Sequence, residues 1–305
     1  MGLFFPAYSA LVPAMVDADE LLAVNGFEGV VRPVLLQGAG PALAGVLVAV
    51  WSPAAALGAM ACVAGLVAAL ALPARALRRD LSAESTGHPV RAVVRDLVEG
   101  FRYMVGTRWL LVTLVFASLM ILLVLGPLEV LVPFAIIERA GGGPGGHSLV
   151  LLAYGAGGAI ASIVVASLRL PRRYLTVMIV LWSVACVPMV VFGVATTLWP
   201  MVVAGFVLGG LFSAPQVIWG TLLQRRVPPA LLGRVTSLDF FVSLAFMPVS
   251  MALAGPISVV AGLTLVFLVA GLVPLLFGAV ALVVGRLGPD ELAHPLDAAD
   301  EVPVA

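Results

Sequence analysis

Ionisable groups inside otherwise apolar stretches are where this chain could do chemistry: Glu28 with Arg32, Glu129, and Asp239 with Arg234 close behind it. A charge held among apolar helices is expensive, so each such group is a candidate for moving ions or for locking a conformation. Glu28 and Arg32 stand four apart with the acid first, so they can pair on one helix face, as a gate or as a surface pair. Asp239 can pair with Arg234, or with an Arg of the basic turns, and close one side. Glu129 is the acid deep in the 109–137 block, flanked by Gly126-Pro127 and Pro133. It is placed either to change charge between conformations or to mark the outer boundary, ~30 Å of helix beyond Trp109. Between these acids runs a polar stripe. Gly209, Ser213, Gln216, Gly220 and Gln224 recur every three or four residues and share one helix face, while Phe, Val, Leu, Ile and Trp occupy the others. A helix with one small and polar face turns it toward protein or a water-filled path. Ser213, Gln216 and Gln224 are therefore candidates to line a cavity or to bond neighbouring helices.

Other motifs carry no chemistry. Gly141-Gly142-Gly143-Pro144-Gly145-Gly146 lacks the Lys-Ser/Thr ending of a phosphate loop, and Tyr154-Gly155-Ala156-Gly157-Gly158 lies inside an apolar block, where small residues serve packing. Cys62 and Cys186 fall in apolar blocks and read as packing residues. His88, His147 and His294 are scattered without ligand spacing. The sequence implies no metal, no cofactor, no catalytic triad and no nucleic-acid partner, and hence no enzyme.

The elements that must hold these residues are membrane helices. The chain is 62% hydrophobic and 10% charged, against roughly 25% charged in soluble domains. Spans need about 20 apolar residues. Such blocks fall at 21–50, 53–72, 109–137, 148–169, 174–195, 198–226, 232–259 and 261–285, with 3–16 as the end of another. This predicts an all-α membrane protein of eight full spans and one partial span. The 73–108 segment interrupts the pattern, and within it Val90, Val93, Val94, Leu97, Val98, Phe101, Met104 and Val105 recur at helical spacing behind Pro89, predicting an amphipathic helix. The stretch from Arg286 onward reads as a disordered tail.

All sixteen basic residues are Arg, and fourteen lie in four connections that alternate along the chain: 73–108, 169–173, 225–234 and the tail. The positive-inside rule puts those connections, and the C-terminus, in the cytoplasm. The expected location is the inner or plasma membrane, in multi-pass form.

A weak internal repeat at about 210 residues pairs Pro6 with Pro215, Leu21-Leu22 with Leu231-Leu232, Glu28 with Asp239 and Gly45 with Gly255. Parallel repeats of six spans around a basic linker mark one transporter architecture. Three stretches sharpen the likeness: Gly40-Pro41-Ala42-Leu43-Ala44-Gly45, Asp96-Leu97-Val98-Glu99-Gly100-Phe101-Arg102-Tyr103, and Leu232-Gly233-Arg234-Val235-Thr236-Ser237-Leu238. Through them the chain resembles the major facilitator superfamily, in its macrolide-efflux and enterobactin-exporter-like branch.

The resemblance implies a secondary transporter in the lipid bilayer that exports a small, partly hydrophobic solute, drug-like or siderophore-like, in exchange for protons; the sequence does not give the oligomeric state, and a monomer is assumed. Gly40, Pro41 and Gly45 are similar to the family's antiporter motif, with Ala44 in place of a glycine. The 109–137 and 198–226 helices are those that line the family's cavity. Residue 3 then lies in the family's fourth helix, and the first three helices have no counterpart. The domains implied are 1–72, a remnant of the N-terminal bundle; 73–108, a cytoplasmic linker; 109–285, a C-terminal six-helix bundle; and 286–305, a tail. The alternative is a remnant or mis-started product without transport of its own.

Overall fold

The computed structural model describes residues 12–17, 20–33, 47, 50–71, 89–142 and 144–296. Among them regular structure is helical. The chain divides into two units, one formed by 1–33 with 99–305 and the other by 34–98. In the second unit, α2 (Pro53–Ala71) is a uniformly apolar helix. Its Leu57, Met60, Val63, Leu66 and Val67 are exposed. The amphipathic helix predicted in the linker is α3 (Pro89–Gly106), with Pro89 as its first residue, where the missing N–H costs nothing. The unit boundary falls within it, after Val98.

The first unit opens with α1 (Leu21–Pro33). Six helices long and apolar enough to cross a membrane follow: α4 (Arg108–Ala140), α5 (Pro144–Ser167), α6 (Tyr174–Val194), α7 (Leu198–Arg226), α8 (Pro229–Ala261) and α9 (Leu263–Gly285). Their bounds lie within a few residues of the apolar blocks read from the sequence. Shorter apolar stretches, Leu21–Val31 and Leu57–Val67, lie in α1 and α2.

Local sequence explains the irregularities. Pro127 has no N–H to give the helix ladder, and there α4 widens into a π-helical turn over Pro127–Leu131. It ends where Gly141 takes a left-handed φ of 61°, a conformation cheap only for glycine. α6 breaks between Ala185 and Met189, around Pro188. The α7–α8 hairpin turns at Val227-Pro228, with Arg225 and Arg226 in the last turn of α7 and Pro229 starting α8.

The unit turns its apolar surface both ways. Phe116, Tyr174, Met178, Met201, Leu208 and Phe267 are buried, whereas Phe27, Phe241, Val259, Val260 and Val283 are more than two-thirds exposed. Water would not tolerate so much exposed apolar surface, but lipid does. Helix contact inside the unit depends on small residues. α5 packs along α7, where a Cβ on Gly157 would lie 2.0 Å from the Phe206 carbonyl oxygen and one on Gly209 2.0 Å from that of Tyr154. Glycine at both positions is what lets the two backbones approach.

The two ends of this unit are chemically different. At one end the basic connections meet. Arg226 pairs with Asp290 at 2.6 Å, and its guanidinium stacks 4.6 Å from the Trp109 ring centre. Arg108 donates to the Val284 carbonyl at 2.5 Å, Tyr174 to that of His294 at 2.8 Å, and Arg225 to that of Leu296 at 3.3 Å. At the other end Arg139 donates to Thr264 Oγ1.

The acid-rich stretch after Arg286 was expected to be disordered, and over its first part that is corrected. Leu287–Ala293 forms a helix, α10, docked on the basic end. Leu287 is buried, and the acids have partners. Asp290 meets Arg226, and the fully buried Glu291 accepts from the Thr176 N–H at 3.0 Å and the Thr176 Oγ1 hydroxyl at 2.6 Å. Arg173, before α6, makes no side-chain cap, so Glu291 satisfies a first-turn N–H of α6 and sets negative charge at that helix's positive end.

Candidate functional site

Between α1, α5, α7 and α8 lies a cavity of about 230 Å³. Each helix contributes one face, at the spacing expected of a helix. α1 gives Asn25, Glu28 and Gly29, and α5 gives Ser162. From α7 come Ser213, Gln216, Val217, Trp219, Gly220 and Leu223; from α8, Thr236, Asp239 and Phe240. Asp239 is ten residues into α8, ~15 Å from the basic turn at 1.5 Å per residue, so the cavity sits within the bundle on the Arg-rich side.

The structure gathers Glu28, Ser213, Gln216 and Asp239 around this one space. Gln224, one turn further along α7, instead holds α1: its Oε1 accepts from Asn25 Nδ2 at 2.6 Å, the other N–H of that amide goes to the Leu21 carbonyl at 2.8 Å, and Thr221 Oγ1 lies within 3.1 Å of the same nitrogen. Asp239 accepts from the indole N–H of Trp219 at 3.1 Å. Arg234, expected as a partner for Asp239, pairs with Glu99 of α3 at 2.6 Å. Glu129 is exposed in the π-helical turn of α4 and does not line the cavity. α4 as a whole contributes no lining residue, although the family likeness implied that it would. Arg32 lies in α1, and Gly40, Pro41 and Gly45 lie outside the described residues.

Trp219 is fixed from behind. Its ring packs 6.2 Å from that of Trp109 and 6.4 Å from that of Trp182, which in turn lies 6.5 Å from Phe116. This aromatic stack ties α4, α6 and α7 together and delivers the indole N–H to Asp239. Gly220 and Gly29 keep the wall thin. A Cβ on Gly220 would lie 3.0 Å from Asn25 Oδ1, and one on Gly29 2.7 Å from Ser162 Oγ.

Asn25, Ser162 and Trp219 were not among the residues singled out from the sequence, and Thr236 entered only as part of the 232–238 stretch, not as a cavity candidate. Asn25 had a signal, being a lone amide within the apolar Leu21–Val31 stretch. Ser162 and Thr236 had none, since single hydroxyls are common in such helices, where they bond back to their own backbone. Thr236 does so, to the Leu232 carbonyl at 2.8 Å. Ser162 Oγ has no hydrogen-bond partner in the structure.

A partly open space bounded by four helices, with polar side chains set among apolar ones, can hold a solute or water in an otherwise lipid-compatible bundle. No curated protein matches the sequence. The family model described as transmembrane secretion effector matches residues 1–303. By that match the chain belongs to the transmembrane secretion effector family of major facilitator transporters, and it is a multi-pass membrane protein that transports solutes.

Proposed function

We propose that the protein exports a small, partly hydrophobic solute across the cell membrane in exchange for protons, with the Arg-rich end and the C-terminus in the cytoplasm. The observation that carries this reading is the cavity between α1, α5, α7 and α8, whose wall mixes carboxylates, amides and hydroxyls with Trp219, Leu223 and Phe240. Ser213 and Gln216 are its solute contacts. Glu28 and Asp239 are the groups whose charge changes as the cavity meets water on one side and then the other. Asn25 and Gln224 form a closure, because moving α1 away from α7 breaks their 2.6 Å bond. Rocking of one helix group against another would then expose the cavity alternately to the two faces. The direction is supported by the family's description as a secretion effector and by the Arg distribution under the positive-inside rule. The antiporter-like Gly40, Pro41 and Gly45 support exchange. Residues 1–72 serve as the N-terminal part of the path, 73–108 as the linker and 109–285 as the C-terminal bundle.

The test is proton-driven accumulation of an uncharged lipophilic dye in inside-out membrane vesicles carrying the full chain. Accumulation above that of vesicles without the protein is expected, and Ser213→Phe, which fills the cavity, should reduce it at least tenfold at equal membrane content. No accumulation above the empty vesicles across a panel of such dyes would count against export.

A further inference from the structure

α10 is held on the bundle by few groups. Leu287 and Glu291 are its buried side chains, whereas Leu292, Ala293, His294 and Pro295 are exposed. It joins α9 through Arg286, whose φ of 48° makes it the one non-glycine residue in the left-handed region among the described residues. That backbone is unfavourable for a residue with a Cβ and persists only where the surroundings hold it. What holds it is a short set of polar contacts. Asp290 sits on Arg226 at 2.6 Å, Glu291 accepts from the Thr176 N–H and hydroxyl at 3.0 and 2.6 Å, and the His294 carbonyl accepts from the Tyr174 hydroxyl at 2.8 Å. A strained joint set against so few contacts makes a segment that can undock as a unit while the bundle stays folded. A second observation leads from this latch inward. The Arg226 side chain is only 9% exposed, and its guanidinium lies 4.6 Å from the Trp109 ring centre and 6.0 Å from that of Tyr174. Trp109 meets Trp219 edge-on at 6.2 Å, and the Trp219 indole donates to Asp239, in the cavity wall, at 3.1 Å. Trp219 and Arg226 stand two turns apart on α7 and so share one face. Both tryptophans are buried, which leaves little slack between them.

We infer that α10 is a conformational strap that sets the cavity wall from the Arg-rich end: docked, its Asp290 keeps Arg226 over Trp109, Trp109 keeps the Trp219 ring in place, and the indole N–H stays on Asp239. Undocked, Arg226 loses its carboxylate and turns toward water, and Trp109 loses the cation over its face. The Trp219 ring then gains room to leave Asp239. Burial is what separates this pair from an ordinary surface ion pair. Taking the carboxylate from a guanidinium that water barely reaches leaves an uncompensated charge against two rings, so the state of α10 is felt inside the bundle. The exposed Arg234–Glu99 pair at 2.6 Å has no such leverage, since its side chains are 32% and 54% exposed. Arg226 is thus a positioning residue, which acts on the cavity through two rings and does not line it. The strap works in the same way whatever the solute and its direction of travel.

The experiment reads α10 and Trp219 separately in the full chain, purified in an uncharged detergent. Fluorine NMR of protein grown on 5-fluorotryptophan reports Trp219, whose line is assigned by its loss in Trp219→Phe. Hydrogen exchange over Leu287–Ala293 reports docking. Asp239→Asn should move the Trp219 line and so calibrate it. Asp290→Asn should raise exchange in α10 about tenfold and move the Trp219 line in the same direction. Arg226→Lys keeps the charge but loses the flat guanidinium over Trp109, and should move the line as well; it also serves as the second variant if Asp290→Asn does not fold. Arg286→Gly relaxes the joint, so it should slow exchange in α10 and leave the line at the parent position. Glu99→Gln, at the exposed pair, should leave both readings unchanged. A Trp219 line that stays at the parent position in both Asp290→Asn and Arg226→Lys overturns the strap, even where α10 exchanges faster. Unchanged exchange in Asp290→Asn overturns it too, because the latch is then not the one described.

Discussion

Replacing Gly209 with alanine adds a single methyl group, and it should cost more than most larger changes in this protein. The added Cβ would sit 2.0 Å from the Tyr154 carbonyl oxygen, 2.7 Å from its carbon and 2.9 Å from its Cα. Ordinary contact begins at 3.4 Å, so α5 and α7 must part by more than an ångström. The obstacle is helix backbone, which cannot swing aside as a side-chain tip can. Overpacking of this kind costs typically about 1–3 kcal/mol, and the backbone obstacle places Gly209→Ala in the upper part of that range. Gly157→Ala meets the Phe206 carbonyl at 2.0 Å in the same interface and should cost a similar amount. The double variant should cost less than the sum, because one separation of the helices relieves both clashes. Gly155→Ala is the internal control. It lies in the same helix, its Cβ would find nothing within 4 Å, and alanine suits a helix better than glycine by up to ~1 kcal/mol. The assay is the melting temperature of the purified chain in detergent, followed by intrinsic fluorescence. Gly209→Ala and Gly157→Ala should each melt several degrees below the parent, and Gly155→Ala at or above it. If Gly209→Ala melted with the parent while Gly155→Ala fell, the close α5–α7 approach would be wrong.

Three further outcomes follow from other contacts. Glu291→Ala strips the buried acceptor from the Thr176 N–H and hydroxyl and should destabilise by about 2–4 kcal/mol, with faster amide exchange at the start of α6; exchange unchanged there would deny the docking of α10. Asn25→Leu removes the amide that spans to Gln224 and Thr221, so α1 should gain exposure to protease in inside-out vesicles while the rest of the digestion pattern stays the same. Equal protection of α1 would speak against its anchoring on α7. Glu99→Gln breaks a pair whose side chains are 54% and 32% exposed, so its effect on melting should stay within about 1 kcal/mol and vanish at high salt; a larger, salt-insensitive loss would contradict the exposed geometry.

Much of this architecture was legible in the sequence because lipid simplifies the code. Continuous apolar blocks ended by Arg give helix bounds directly, and the α7–α8 hairpin at Val227-Pro228 is where the prolines and arginines put it. The polar stripe on α7 was visible for the same reason, since Ser213, Gln216 and Gly220 share a face at any helix position. What faces that stripe was not legible. Whether Asn25 and Ser162 meet it depends on how α1 and α5 pack, and that is set by contacts between glycines distant in sequence, such as Gly157 and Gly209. Arg234 was one of the arginines offered as a partner for Asp239; their five-residue separation does not align them on one helix face, and Arg234 pairs with Glu99 on α3. The stretch after Arg286 reads as disordered because it is rich in acids and prolines, yet two of those acids are bound to α6 and α7.

The proposed function requires the cavity between α1, α5, α7 and α8 to open to each side of the membrane in turn. Thiol labelling of Ser213→Cys tests it most directly. Cys62 is exposed and is replaced by alanine, whereas Cys186 is buried in the core and can stay. An impermeant maleimide is applied to right-side-out and to inside-out vesicles, with and without an imposed proton gradient. Labelling is expected from both faces, with the gradient raising the rate from one and lowering it from the other. Labelling from a single face, at a rate indifferent to the gradient, would contradict it.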